Sequence, residues 1–393
     1  MWLMHLNWQE HVEHIKKVRH WLHSHPELTW QEEQTAAYVR SQLNQWNIPW
    51  RASAKYGTVA TLASQSQGKH LAFRSDMDAL PIQEPDTNPS ASLTENVMHA
   101  CGHDGHMAAL LGVAKWLKEN ESALPGPVSL LFQPAEEGGH GAREMIADGA
   151  LETVDTIFGW HNWPGLPLGR VLCPEGPVMS GNGTFHVRIQ GKGGHASQPD
   201  ITRDPLLAAS ALVLNLQQIV SRRLPPQAAA VVSVTSIDAK NAVTVIPDSV
   251  YLEGSIRLSE PQWREPINDA IRSISKSTAS AYDVTADVEI RARYEATINH
   301  PEPASRFRDA LRSELGEKFD QTSMKLPLMA SEDFSYYLNE IPGAFAIIGM
   351  AEEEGECSSY SAPCHSPDYC FNDKVIEQVM RVFCRLAGVP ILQ

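Results

Sequence analysis

Leu71-Ala72-Phe73-Arg74-Ser75-Asp76-Met77-Asp78 is an apolar run that ends in two carboxylates. The pattern returns twice: Val128-Ser129-Leu130-Leu131-Phe132 leads to Glu136 and Glu137, and Thr156-Ile157-Phe158-Gly159-Trp160 leads to His161. Short apolar runs of this kind read as extended strands. In open α/β sheets, sites form just beyond the carboxyl ends of strands, so three strands delivering acids and a histidine there converge on one crevice. The expected class is therefore α/β, with a mixed central sheet flanked by helices.

Outward from this centre, Trp8 to Trp46 reads as two helices broken at His23-Ser24-His25-Pro26-Glu27, where the proline ends the first and Glu27 helps start the second. His99-Ala100-Cys101-Gly102-His103-Asp104-Gly105-His106 leads into the helical run Met107 to Leu117. A different rhythm holds from about Gly183 to Thr297. Strands are expected over 184–190, 228–237, 249–258 and 284–294, and helices over 204–223 and 261–282. This β-α-β-β-α-β order is the ferredoxin-like α+β unit, complete in itself, and it predicts an inserted domain. A buried strand at Gly343 to Gly349, Cys364-His365-Ser366-Pro367 and a final helix from Asp373 to Leu386 then resume the first pattern. The expected division is a discontinuous first domain, 1–182 and 295–393, which carries the candidate chemistry, with 183–294 inserted. A chain of 393 residues is longer than one core usually organises, in keeping with two domains.

A net charge of −15 and the lack of a basic stripe argue against nucleic acid or an anionic membrane surface as partner. No apolar run is long enough to cross a bilayer, and Met1 to Glu10 lacks the pattern of a secretory signal, so a cytoplasmic protein is expected. The six cysteines, Cys101, Cys173, Cys357, Cys364, Cys370 and Cys384, are too dilute for a disulfide scaffold and are expected to be reduced. Cys357, Cys364 and Cys370 lie close in sequence, which leaves a local redox pair near Cys364 as the alternative.

Several residues carry chemistry. Cys101 and His103 are a thiolate and an imidazole suited to zinc or a similar borderline metal, against the plainer reading of a helix start with a core thiol. Glu136-Glu137 resembles a solvated helix start, but Gly138 and Gly139 make a poor first turn and permit close approach to an ion. Two adjacent carboxylates divide the labour when one binds metal and the other acts as general base. His161 and His365 are either core histidines or ligands, Asp76 is a loop acid or an orienting partner of a ligand histidine, and His195 in a glycine-rich turn is a loop residue or a substrate contact.

Arg74 to Pro81, His99 to His106, Gln133 to Gly139, His161-Asn162-Trp163-Pro164-Gly165, Gly193-Gly194-His195-Ala196, Ser331-Glu332-Asp333-Phe334 and His365-Ser366-Pro367 together resemble the M20 metallopeptidase family. The subgroup they resemble is the amidohydrolases that include hippurate hydrolase, the auxin-conjugate hydrolases and bacterial N-acyl-amino-acid deacylases. The resemblance spans essentially the whole chain. It implies two divalent ions held by Cys101, His103, Glu137, His161 and His365, with zinc or manganese ahead of cobalt or nickel, and with Glu136 as general base beside Asp76. It implies hydrolysis of a small N-acyl amino acid to a carboxylic acid and a free amino acid. It also implies that the inserted domain is a lid through which a homodimer forms, with His195, Arg257 and Thr244 as substrate contacts.

The chain departs from the subgroup at Ser75 (usually Ala), at Thr244 (usually Asn, which puts the substrate preference in doubt), and at Cys364 and Cys370 near the last ligand. Other readings of the same residues are a dipeptidase or carboxypeptidase, a thiol enzyme using Cys101 as nucleophile with His103 or His106, and a non-catalytic binding protein.

Overall fold

The structure is a computed structural model that describes residues 7–85, 90–352 and 358–391; Cys357 lies outside the described residues. The chain divides into two compact units, one of residues 1–178, 298–325 and 333–393, the other of 179–297 and 326–332. The second unit thus begins a few residues before the expected boundary and also takes in 326–332. That segment belongs there because Ser180 N–H donates to the carbonyls of Leu328 and Ala330, both at 2.9 Å.

The first unit opens with helices α1 (Trp8–Ser24) and α2 (Glu33–Gln45), strands β1 (Trp50–Ser53), β2 (Gly57–Leu62) and β3 (Leu71–Asp76), and helix α3 (His103–Glu119). It continues through β4 (Val128–Gln133), α4 (Gly141–Ala147), β5 (Thr156–Pro167) and β6 (Val171–Leu172), with β7 (Gly176–Met179) where the chain passes to the second unit. Glu27 starts α2 as the sequence suggests: its carboxylate accepts the N–H groups of Gln34 at 3.1 Å and Thr35 at 2.8 Å, satisfying donors that a helix start leaves open.

The second unit runs β8 (Gly181–Gln190), β9 (Gly194–His195), α5 (Pro205–Leu216), β10 (Ala230–Asp238), β11 (Val245–Ile246), β12 (Ser249–Leu258), α6 (Arg264–Ala281) and β13 (Thr285–Ala292). Its main sheet is antiparallel in the order β10-β12-β8-β13, the strand order of a ferredoxin-like unit. Asp204 caps α5 by accepting the N–H groups of Leu206 and Leu207, with Pro205 behind it. On α6 the buried Ile267, Ala270, Ile271 and Ile274 recur at helical spacing and pack over Phe185, Val187, Leu252 and Ile256 of the sheet. The expected helix over 204–223 ends as an α-helix at Leu216, and Ile219–Arg223 forms a π-turn.

After β14 (Thr297–Asn299) the first unit is completed by α7 (Pro301–Leu315), α8 (Ser335–Glu340), β15 (Gly343–Ala351) and α9 (Lys374–Leu386). Its sheet has the order β1-β2-β4-β3-β5-β15-β6. The inner strands β4, β3, β5 and β15 are parallel, while β2 and β6 pair antiparallel on either side and β1 extends the sheet beyond β2. The chain leaves β3 for β4 on one side and then reaches β5 on the other, so β3 is a topological switch point of the kind that opens a crevice. Alternation along β3 sends Phe73 toward Phe383 of α9, ring centroids 4.7 Å apart, and Arg74 to the opposite face, where it meets Asp333 just ahead of α8. Among the described residues no helix is long and apolar enough to cross a membrane.

Helix α3 is buried along most of its length, and two glycines at its start fit only as glycine. Gly102 caps it at φ +89°, and a Cβ there would lie 2.2 Å from Asn162 Oδ1; at Gly105 a Cβ would lie 2.2 Å from the Phe371 ring. Its first turn is tied to α1 by charge. Asp104, fully buried, sits 2.9 Å from His23 Nδ1 and 3.4 Å from Arg19 Nη1, and His23 Nε2 is 3.1 Å from Glu84. Burial opposes a charge on His23, and Asp104 with Glu84 more than offsets this, raising His23 to about 9.

Two outcomes follow. Gly105→Ala forces the rigid Phe371 ring aside and lowers stability by about 1–3 kcal/mol, whereas Gly112→Ala meets the flexible Met380 thioether and costs less; thermal melts of both variants check this ordering. Because His23 is raised from 6.5 to about 9, its contribution is complete below pH 6.5 and is lost as pH rises to about 9. Denaturant titrations across that window should show a fall in stability in the wild type that is absent from an already less stable His23→Gln variant.

Candidate metal centre

At the end of β3, Asp76 accepts from Arg74 Nη1 at 2.7 Å and pairs with His106 Nδ1 at 2.6 Å. Two residues on, Asp78 accepts the backbone N–H groups of Glu136 at 3.0 Å and Glu137 at 2.9 Å, and the Thr29 hydroxyl at 2.7 Å. One buried carboxylate thus fixes the turn that presents both glutamates. That turn is strained: Ala135 is at φ +58°, held by its N–H donating to Glu32 at 2.8 Å. Burial, then the neighbouring Asp78, raise Glu32 to about 7.

The strand β5 differs from expectation, since it continues through His161 to Pro167 rather than ending before it. Its pairing with β3 stops at Phe73 and Phe158, so beyond that level β5 pairs with β15 and its other edge borders the crevice. His161 Nδ1 donates to the Asn162 carbonyl at 2.6 Å and His103 Nδ1 to the Asp78 carbonyl at 2.8 Å. Each histidine therefore keeps its Nε2 lone pair for the crevice, the tautomer that suits a metal ligand. His365, in the loop before α9 and at φ +66°, places Nε2 3.0 Å from Glu137 Oε1.

The expected ligands and Glu136 form three of the five compact donor groups among the described residues; Asp76, His103 and His106 form another. Donor atoms of Cys101, His103 and His161 lie within 4.8 Å of one another, as do those of Cys101, Glu137 and His365, and those of His103, Glu136 and Glu137. Ligands about 2.0–2.3 Å from a zinc-sized ion are at most roughly twice that apart, so each group is compact enough for one ion. Two further observations fit a cation. His103 Nε2 is a buried nitrogen with no hydrogen-bond partner. Burial disfavours charge on His103, yet Asp76, Asp78 and Glu137 raise it to about 10, which means the surrounding field strongly favours positive charge. His161 is instead held neutral, well below its ordinary value, by burial and then by His106.

Other motif residues are engaged elsewhere. His106 spans Asp76 and Asn162, with Nε2 2.9 Å from Asn162 Oδ1, and Asp104 serves the α1 contact. The sequence presents Asp78 only as the second acid ending an apolar run, and Arg74 carries no expected role. Arg74 is fully buried and donates to Gln133, Asp76 and Asp333 at 2.7–2.8 Å; a charged residue inside an otherwise apolar strand was the available signal. In the second unit, exposed His195 accepts at Nδ1 from Ser197 N–H at 3.1 Å, which leaves Nε2–H as a donor. The Thr244 carbonyl accepts from Ala196 N–H at 2.8 Å, and Arg257, half-buried, donates to Ser331 Oγ.

Residues 72–388 match the model of peptidase family M20/M25/M40. The chain is 39% identical to N-acetyl-L-cysteine deacetylase of Bacillus subtilis over 84% of this chain and 79% of that one. It is 36% identical to hippurate hydrolase of Campylobacter jejuni over 95% of each. Among solved structures, a dinuclear metal-binding M20 peptidase of Bacillus subtilis superposes with a TM-score of 0.82 at 31% identity, over 96% of this chain and 98% of that one. The chain therefore belongs to peptidase family M20/M25/M40, within its amidohydrolase subgroup.

Proposed function

We propose that this metallo-amidohydrolase cleaves the amide bond of N-acyl amino acids, with an acetyl, benzoyl or similar acyl group, to a carboxylic acid and a free amino acid. The observation that carries the reading is the adjacent pair Glu136-Glu137, pinned by Asp78 and facing two groups of borderline ligands. Cys101, His103, Glu137, His161 and His365 would hold two divalent ions, zinc or manganese by donor type. When bound, the ions polarise the amide carbonyl and acidify water at neutral pH. Glu136, adjacent to the ligand Glu137, takes the proton of the attacking water and returns it to the departing nitrogen, which would otherwise leave as an unstable anion. Asp76, 3.7 Å from His103 Nε2, adds negative charge beside that ligand, while the Asp78 carbonyl on Nδ1 fixes its ring.

In the second unit, we assign the substrate carboxylate to Arg257, the developing oxyanion to His195 Nε2–H, and selection among acyl or side-chain groups to Thr244. The same unit supports a homodimer, since Leu206, Leu207 and Leu214 of α5 and Val231 and Ile237 of the edge strand β10 are exposed. A cytoplasmic setting suits the thiol ligand, which must stay reduced. A peptidase acting on dipeptides would use the same centre. A thiol mechanism is disfavoured because hydrogen bonding to Cys364, then burial, push the Cys101 thiol well above its ordinary range.

Glu136→Gln is expected to retain its metal and lose about 10²- to 10⁴-fold in kcat; near-normal turnover in that variant removes Glu136 as the base. Cys101→Ala is expected to lower bound metal, read by elemental analysis of the purified protein, and an unchanged metal content excludes it as a ligand.

A further inference from the structure

Cys364 has no role in the centre so far. It immediately precedes His365, whose backbone N–H donates to the Ala100 carbonyl at 2.8 Å. That bond sets Cys364 and Cys101, the residues flanking it, beside each other. Cys101 Sγ is also 3.4 Å from His161 Nε2, while Cys364 Sγ accepts from Asn162 Nδ2 at 3.9 Å. Both cysteines are free thiols, Cys101 buried and Cys364 only partly so. Among the described residues, Cys364 joins none of the groups whose donors could hold an ion. It neighbours two candidate ligands, Cys101 and His365, without being one of those donors.

We propose that Cys101 and Cys364 form a redox pair whose disulfide removes Cys101 from the metal centre, with a peroxide as the oxidant. The inference rests on the reading of Cys101 as a ligand. Cys364, the more accessible sulfur, attacks the peroxide: an S–O bond forms, the O–O bond breaks and hydroxide leaves, giving a sulfenic acid. The Cys101 sulfur then attacks that of Cys364. An S–S bond forms, the S–O bond breaks, and the released hydroxide takes up a proton and leaves as water. Two thiols give up two electrons and two protons, and the peroxide becomes two waters. Cys101 is shared by two of the three ligand groups, so its capture withdraws a donor common to both. A thiol reductant reverses the step.

The test treats the metal-loaded full chain with stoichiometric hydrogen peroxide, follows metal release with a chromogenic chelator and maps disulfides by peptide mass spectrometry. The expected result is a Cys101–Cys364 linkage appearing together with metal release and loss of activity, all restored by reductant and metal. Cys364→Ser should begin with normal metal content and activity and should show no reductant-reversible loss, whereas Cys370→Ser should behave as the wild type. The pair is overturned if the mapped linkage joins Cys364 to Cys370, if no Cys101–Cys364 linkage forms, or if Cys364→Ser loses metal reversibly at the wild-type rate. If the linkage forms and the metal stays bound, the ligand assignment of Cys101 fails, and with it the metal-releasing switch.

Discussion

The carboxylate of Asp78 is the constraint on which the centre depends. It accepts two consecutive backbone N–H groups, those of Glu136 and Glu137, and the carbonyl of the same residue fixes the tautomer of His103. One residue beyond β3 thereby orients both the acids that follow β4 and the histidine that opens α3. Charge-assisted hydrogen bonds of this kind are stronger than neutral ones, which is what a turn holding Ala135 in the left-handed region requires. Glu32, on the other side of that turn, takes the Ala135 N–H and completes the clamp.

A second layer balances charge. Asp76, Asp78, Glu136 and Glu137 crowd one crevice, and carboxylates at such spacing repel each other unless cations intervene. Arg74 supplies one cation from below, bound to Asp76 and Asp333, and Gln133 completes the array with donors 2.9–3.0 Å from Asp333. Above it, the upward shift of His103 shows that the crevice still favours positive charge. A pair of divalent ions answers that demand, and the borderline donors Cys101, His103 and His161 suit ions that also accept carboxylate oxygen.

What could be read from the sequence was local. Strand and helix periods gave the β-α-β-β-α-β unit and the buried strands, because each pattern lies within a few consecutive residues. The acids and histidine at successive strands pointed to one crevice through a general rule about open sheets. Contacts between distant segments were not legible. Arg74 and Asp333 are 259 positions apart, His23 and Asp104 belong to different motifs, and nothing in Cys364-His365 announces a backbone bond to Ala100. His161 shows the intermediate case: its place beside the crevice was expected, but β5 runs past it because β15 pairs with the strand beyond the end of β3.

The central claim, metal-dependent cleavage of N-acyl amino acids, is tested most directly by one rate comparison. The protein is stripped of metal, reloaded with zinc or manganese, and assayed on N-acetyl amino acids, N-benzoyl amino acids and dipeptides side by side. The account predicts that N-acyl amino acids are hydrolysed fastest and that the stripped protein is inactive on all of them. Dipeptides as the fastest substrates, or full activity after metal removal, would contradict it.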